Sequence, residues 1–136
     1  VIDEIGLMDE GYFLYFEETD YTLRAARAGW ECWHVPESRI VHLVGQSSGV
    51  TLRDGKPRRL PKYWFDSRRR YFVLNHGRLY AALTDLAVLA AYGVWRARRL
   101  LQGRPDVDPP FFVRDLLRYG ALLNGRGSLE PRRTSS

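Results

Sequence analysis

The order of apolar and polar positions divides the chain into an α plus β first half and an all-helical second half. Residues 1–16 mix aromatic and acidic side chains without a clean period, as in a loop or short strand lining a site. From Glu17 to Ala28 the run EETDYTLRAARA has good helix formers, acids in its first turn and arginines later, and Gly29 follows as a stop, which predicts a short helix. WECWHVP (30–36) and RIVHLV (39–44) alternate or run apolar around a turn at Pro36 and predict two strands. The segment GQSSGVTLRDGKPRRL (45–60) is glycine-containing and basic, and reads as a loop. Pro61 can open a helix running to about His76, with Gly77 as its break. A second helix is expected from near Arg78 to short of Gly103. After the linker GRPDVDPP, a third runs from about Phe111 to Leu123. The tail NGRGSLEPRRTSS is polar and basic and predicts disorder. Three segments result: residues 1–55, a helical extension over 56–123, and the tail 124–136.

Composition narrows the partners. A chain of 136 residues with 45% hydrophobic content can bury a modest core. The formal charge of +5 points to an anionic partner: a nucleotide, a phospholipid surface, a diphosphate lipid or a nucleic acid. Cys32 is the single cysteine, so neither an internal disulfide nor a cage of thiolates around a metal can be built, and a reducing cytoplasmic setting fits. The opening VIDEIGLMDE lacks a basic n-region and an apolar h-region, and reads as the middle of a longer protein.

The chemistry gathers around FEETD. Glu17, Glu18 and Asp20 can simply complement the positive end of a helix dipole, with Asp20 and Arg24 forming an i,i+4 pair. Alternatively, one of them removes a proton. His42 sits late in the second expected strand, on a face with Ile40 and Val44, where a hydrogen-bonded structural role and a ligand role are both open. His34 reads as structural and His76 as a helix cap. Trp30 and Trp33 can stack on a sugar or base, or pack in a core.

The succession Gly6, Asp9-Glu10, Phe13, Tyr15, Glu17-Glu18, Asp20, Arg24, Gly29-Trp30, Pro36, His42 and Ser47 resembles the C-terminal part of the catalytic domain of family 2 glycosyltransferases, notably the bacterial rhamnosyltransferase-like members. The resemblance is strong over about residues 3–50. It implies an α/β architecture: the acceptor-side half of a GT-A domain, followed by an all-α extension. It also implies inverting transfer of a sugar from a nucleotide-diphosphate donor to a hydroxyl of a cell-surface glycan or a polyprenyl-diphosphate-linked saccharide, with a carboxylate taking the acceptor proton. By position that base is Glu18, where most of the family has Asp. Asp9, Glu10, Glu17, Asp20 and Trp30 fall on the acceptor side. His42 would complete the site of a divalent cation, Mg or Mn, that stabilises the departing diphosphate. No Asp-x-Asp falls within residues 3–50, which carry the resemblance; the family's motif is on this resemblance expected upstream of Val1, leaving this part inactive alone.

A second feature is a basic, aromatic stretch. Arg53, Lys56, Arg58, Arg59, Lys62, Arg68, Arg69 and Arg70 crowd together, interleaved with Tyr63, Trp64, Phe65, Tyr71 and Phe72. This mixture suits nucleic acid or the headgroups of an anionic membrane, and no nucleic-acid fold signature accompanies it. The following run Leu79–Trp95 is nearly all apolar with Asp85 inside, and is short for a membrane span. It can lie on a membrane, pack within the protein or an oligomer, or span. Joined to the resemblance, which implies an acceptor at the cytoplasmic membrane face, these features lead to the expectation of a peripheral place on the inner face of the plasma membrane. The rival expectation is a non-catalytic basic helical module binding membrane or nucleic acid.

Overall fold

Helix-stop chemistry decides the first element that sequence and structure share. A computed structural model describes residues 1–41, 58–124 and 129. After a single turn, α1 (Ile2–Ile5), helix α2 spans Glu17–Arg27. Its end is a Schellman motif: Gly29 adopts φ +88°, its amide donates to Ala26 O (3.1 Å), and the Trp30 amide donates to Ala25 O (3.0 Å). Only glycine takes that φ without steric cost, so the stop read at Gly29 is physical.

Helix α3 (Lys62–His76) starts directly after Pro61, and α4 (Arg78–Leu101) follows it across one residue, Gly77, at φ +86°. These bounds match the expectation within a residue or two. The last expected helix is broken in two: α5 (Phe112–Tyr119) and α6 (Ala121–Asn124). The break has a tertiary cause. The buried Asp85 carboxylate, on α4, accepts the amides of Ala121 (2.6 Å) and Leu122 (3.0 Å), which an uninterrupted helix would give to the preceding turn. Gly120 lets it approach, since a Cβ there would lie 2.6 Å from Asp85 Oδ2 and 2.4 Å from Leu116 O.

The expected α/β half of a GT-A domain is not found. The described residues are helical and contain no strand. Residues 30–41, which cover the first expected strand and the start of the second, run without a ladder. Trp33 is 78% exposed and Ile40 86%. Strand-type residues set an alternation but cannot satisfy backbone N–H and C=O groups by themselves; a ladder needs a neighbouring strand, and the described chain supplies none.

α3 and α4 pack against each other, α5 and α6 close over them, and α2 leans on α3. The core between them is unusually ionic. Its largest fully buried side chains are Phe65, Leu116, Asp20, Asp85 and Asp115, so three of five are aspartates. Each has a guanidinium partner: Arg24 for Asp20, Arg68 for Asp85 and Arg59 for Asp115. Asp9 takes a two-pronged contact from Arg70 at 2.9–3.0 Å, and Arg99 ties the loop after α4 through Asp106 (2.7 Å) and Asp108 (2.6 Å). The basic cluster of the sequence is thus divided, part of it internal and part, with Arg58, Arg59 and Lys62, exposed. Arg68 and Arg70 are buried, Arg59 and Lys62 are ion-paired, and Arg53 and Lys56 lie outside the described residues.

Two outcomes follow for stability. Gly120→Ala should cost about 1–3 kcal/mol, because the added methyl meets fixed backbone and a buried carboxylate; chemical denaturation showing no loss would show that the α5–α6 corner yields. Hydrogen bonds from Arg59 hold the Asp115 carboxyl below its ordinary value of 3.8. A depressed carboxyl stabilises the fold above its unfolded value, and that contribution disappears as pH falls through the folded value. The melting-temperature gap between the protein and its Asp115→Asn variant should hold steady above about pH 5 and close in stronger acid. A gap independent of pH would acquit the ion pair.

Candidate functional site

The approach to α2 is bent by two adjacent aromatic residues in the left-handed region, Tyr15 (φ +69°) and Phe16 (φ +68°). Such a conformation costs non-glycine residues roughly 1–2 kcal/mol each and needs support from outside. α3 supplies it. Tyr15 stacks on Tyr63 (ring centroids 6.3 Å apart), Phe16 lies against Trp64, Tyr71 and Phe72, and Ser67 Oγ donates to Leu14 O at 2.9 Å. Phe13, 79% exposed, meets Tyr63 at 5.2 Å, so an aromatic shelf stands beside the acidic start of α2.

Burial sorts the three acids. Asp20 is 0% exposed; its Oδ1 accepts from Asn75 (2.7 Å) and the Tyr12 hydroxyl (3.2 Å), its Oδ2 from Arg24 Nε (2.9 Å). Arg24 then donates to the carbonyls of Ile5 (2.5 Å) and Leu7 (2.9 Å), stitching the N-terminal segment to α2. Asp20 is a framework group. Glu17 is half-buried, and its Oε2 has no hydrogen-bond partner among the described residues. Glu18 is exposed in the first turn. Of the three, it alone combines a solvent-facing carboxylate with a position at the positive end of the helix.

The other acceptor-side candidates are dispersed. Asp9 is 8% exposed, held by Arg70 and by the Gly11 amide (2.9 Å), while Glu10 is exposed. Trp30 lies beyond the opposite end of α2, whose axis runs about 13 Å from Glu18 to Arg27 at 1.5 Å per residue; its indole donates to Glu4 at 2.7 Å. Structure therefore joins Glu17 and Glu18 to the aromatic shelf and leaves Trp30 apart. His42, the expected metal ligand, lies outside the described residues. Among the described residues no three His, Cys, Asp or Glu side chains could hold a metal ion. A cleft of about 270 Å³, lined by Tyr92, Arg96, Asp108, Phe111 and Arg114 among others, belongs to the α4–α5 end and contains none of these candidates.

Sequence reasoning passed over Arg70 and Asn75, the partners that immobilise Asp9 and Asp20. The one available signal was that each buried acid needs a cation or donors, and a nearby run of arginines can provide them.

The comparisons with known proteins are narrow. Over 46 residues the chain is 37% identical to N-acetylglucosaminyl-diphospho-decaprenol L-rhamnosyltransferase of Mycobacterium tuberculosis, in both the CDC 1551 / Oshkosh and the ATCC 25618 / H37Rv strains. The match covers 34% of this chain and 15% of the relative. No family model matches, and neither does any solved structure. This partial likeness suggests a glycosyltransferase, weakly and over a short stretch.

The sorting of the acids is open to measurement. Asp20→Asn breaks a buried pair and should lower stability by about 3 kcal/mol, whereas Glu18→Gln should stay within about 0.5 kcal/mol. Equal effects in urea unfolding would contradict the division into framework and free carboxylate.

Proposed function

We propose that the chain forms part of a glycosyltransferase that moves a sugar from a nucleotide-diphosphate donor to a hydroxyl of a lipid-linked saccharide, with Glu18 as the base. The supporting observation is the free Glu18 carboxylate at the start of α2, between a framework aspartate and an aromatic shelf, in a chain that partly resembles a rhamnosyltransferase. The relative's name specifies an L-rhamnosyl group and an N-acetylglucosaminyl-diphospho-decaprenol. A diphosphate lipid of that class is the acceptor this reading favours.

In the reaction the acceptor O–H bond breaks as its oxygen bonds to the anomeric carbon, the proton passes to Glu18, and the bond from that carbon to the diphosphate oxygen breaks with inversion. Exposure is required of such a base, because it must reach the acceptor hydroxyl. Phe13, Tyr15 and Tyr63 offer flat apolar faces on which a sugar ring can rest. The buried Asp20 network holds the first turn of α2 in place beneath them, so the carboxylate is positioned by structure and not by its own contacts.

In the full-length protein, Glu18→Gln should reduce turnover by about 10²-fold or more while leaving donor binding and the melting temperature unchanged. Single-turnover transfer to a lipid-diphosphate acceptor, with binding measured separately by calorimetry, checks it. Near-normal turnover would exclude Glu18 as the base.

A further inference from the structure

Helix α4 is inside out. Its buried positions are Ala81, Asp85 and Arg99, while Leu79, Leu83, Leu86, Val94 and Leu101 are 47–89% exposed. The spacing of these five, with Ala90 and Ala97 between, puts them within one stripe at 100° per residue, opposite the stripe of Asp85 and Arg99. A stripe of this kind along 24 residues is some 36 Å long, and apolar surface of that extent on a stable protein is normally covered.

We infer that this face lies on an anionic lipid bilayer, with α4 in the plane of the headgroups. Charge selects that occupant. Residues 58–124 carry thirteen Lys and Arg against five Asp and no Glu, a formal +8. All five aspartates are already ion-paired: Asp66 with Lys62, Asp85 with Arg68, Asp106 and Asp108 with Arg99, and Asp115 with Arg59. Arg98 flanks the leucine stripe and Arg78 opens the helix, both exposed and with no ion pair among the described residues. No acid on α4 faces outward, since Asp85 is fully buried. The acid that argues against a membrane span in the sequence is therefore absent from the outward face. Tyr80, 49% exposed near the start of α4, borders the stripe and is a side chain of the kind that favours an interface. No described helix is long and apolar enough to cross a membrane, which agrees with a helix lying flat. A second copy of the chain would have to bring the same excess of arginine to the same place, with no acid to meet it.

The full chain should float with vesicles of phosphatidylcholine mixed with phosphatidylglycerol, bind vesicles of phosphatidylcholine alone at least tenfold more weakly, and lose most of that preference in high salt. Leu83→Gln with Leu86→Gln and Val94→Gln should cut binding at least tenfold with an unchanged circular dichroism melt, because these side chains are exposed. Arg78→Glu with Arg98→Glu should reduce the preference for phosphatidylglycerol and leave an apolar remainder. Binding that ignores all five substitutions, or no binding at all, overturns the proposal. So does an oligomer in sedimentation that the Gln substitutions dissociate while vesicle binding is missing, which would assign the stripe to a second copy. None of these readouts depends on sugar transfer, so failure here and failure of Glu18 as a base are separable.

Discussion

The Asp85 carboxylate sets the arrangement of the helices. It sits at 0% exposure a third of the way along α4, and receives Arg68 of α3 on one oxygen and the first amides of α6 on the other. An unpaired charge at such a depth would be untenable, so the three elements must meet where Arg68 can reach it. The same requirement fixes the rotation of α4 about its own axis. With Asp85 turned inward, a period of 3.6 residues carries Leu83, Leu86 and Val94 outward. The exposed leucines follow from the ion pair, and burying them would require dragging the carboxylate into solvent and the α6 amides away from their acceptor.

α3 carries the same logic toward the other end of the molecule. Arg68 looks to α4, whereas Ser67, Arg70 and Asn75 hold Leu14, Asp9 and Asp20 of the N-terminal segment. One helix thereby braces both the acidic start of α2 and the apolar face of α4. Its arginines are consecutive in sequence yet serve separate partners, because successive residues on a helix point 100° apart.

How much of this could be read from the sequence depended on how local the cause was. The bounds of α2, α3 and α4 follow from glycines and prolines whose backbone preferences act over a few residues, and they were legible. Residues 30–41 were misread because strand propensity is a statement about fitting beside a neighbour, and no neighbour is present among the described residues. The split of α5 from α6 was hidden for the same reason in reverse: Asp85 acts on Ala121 across 36 residues. At the candidate site the sequence marked a triplet of acids, but ranking its members needed burial. Asp20 and Glu18 differ by two positions and nothing in composition separates them; Asn75, 55 residues away, does.

The basic stretch shows why counting charge along a sequence misplaces a surface. Arg68, Arg69 and Arg70 look like one patch, yet two are buried against Asp85 and Asp9 and the third lies near Asp66. Such pairs consume the local acids without changing the net charge, so the excess must emerge wherever arginines lack partners. On this fold that includes Arg78 and Arg98 on α4 and Arg104 after it, around side chains that are otherwise leucine, alanine and valine. Screening acts on those exposed charges and hardly on the buried pairs. Salt should therefore affect what the protein binds long before it affects whether the protein is folded, a separation that neither the number of arginines nor their spacing in sequence would foretell.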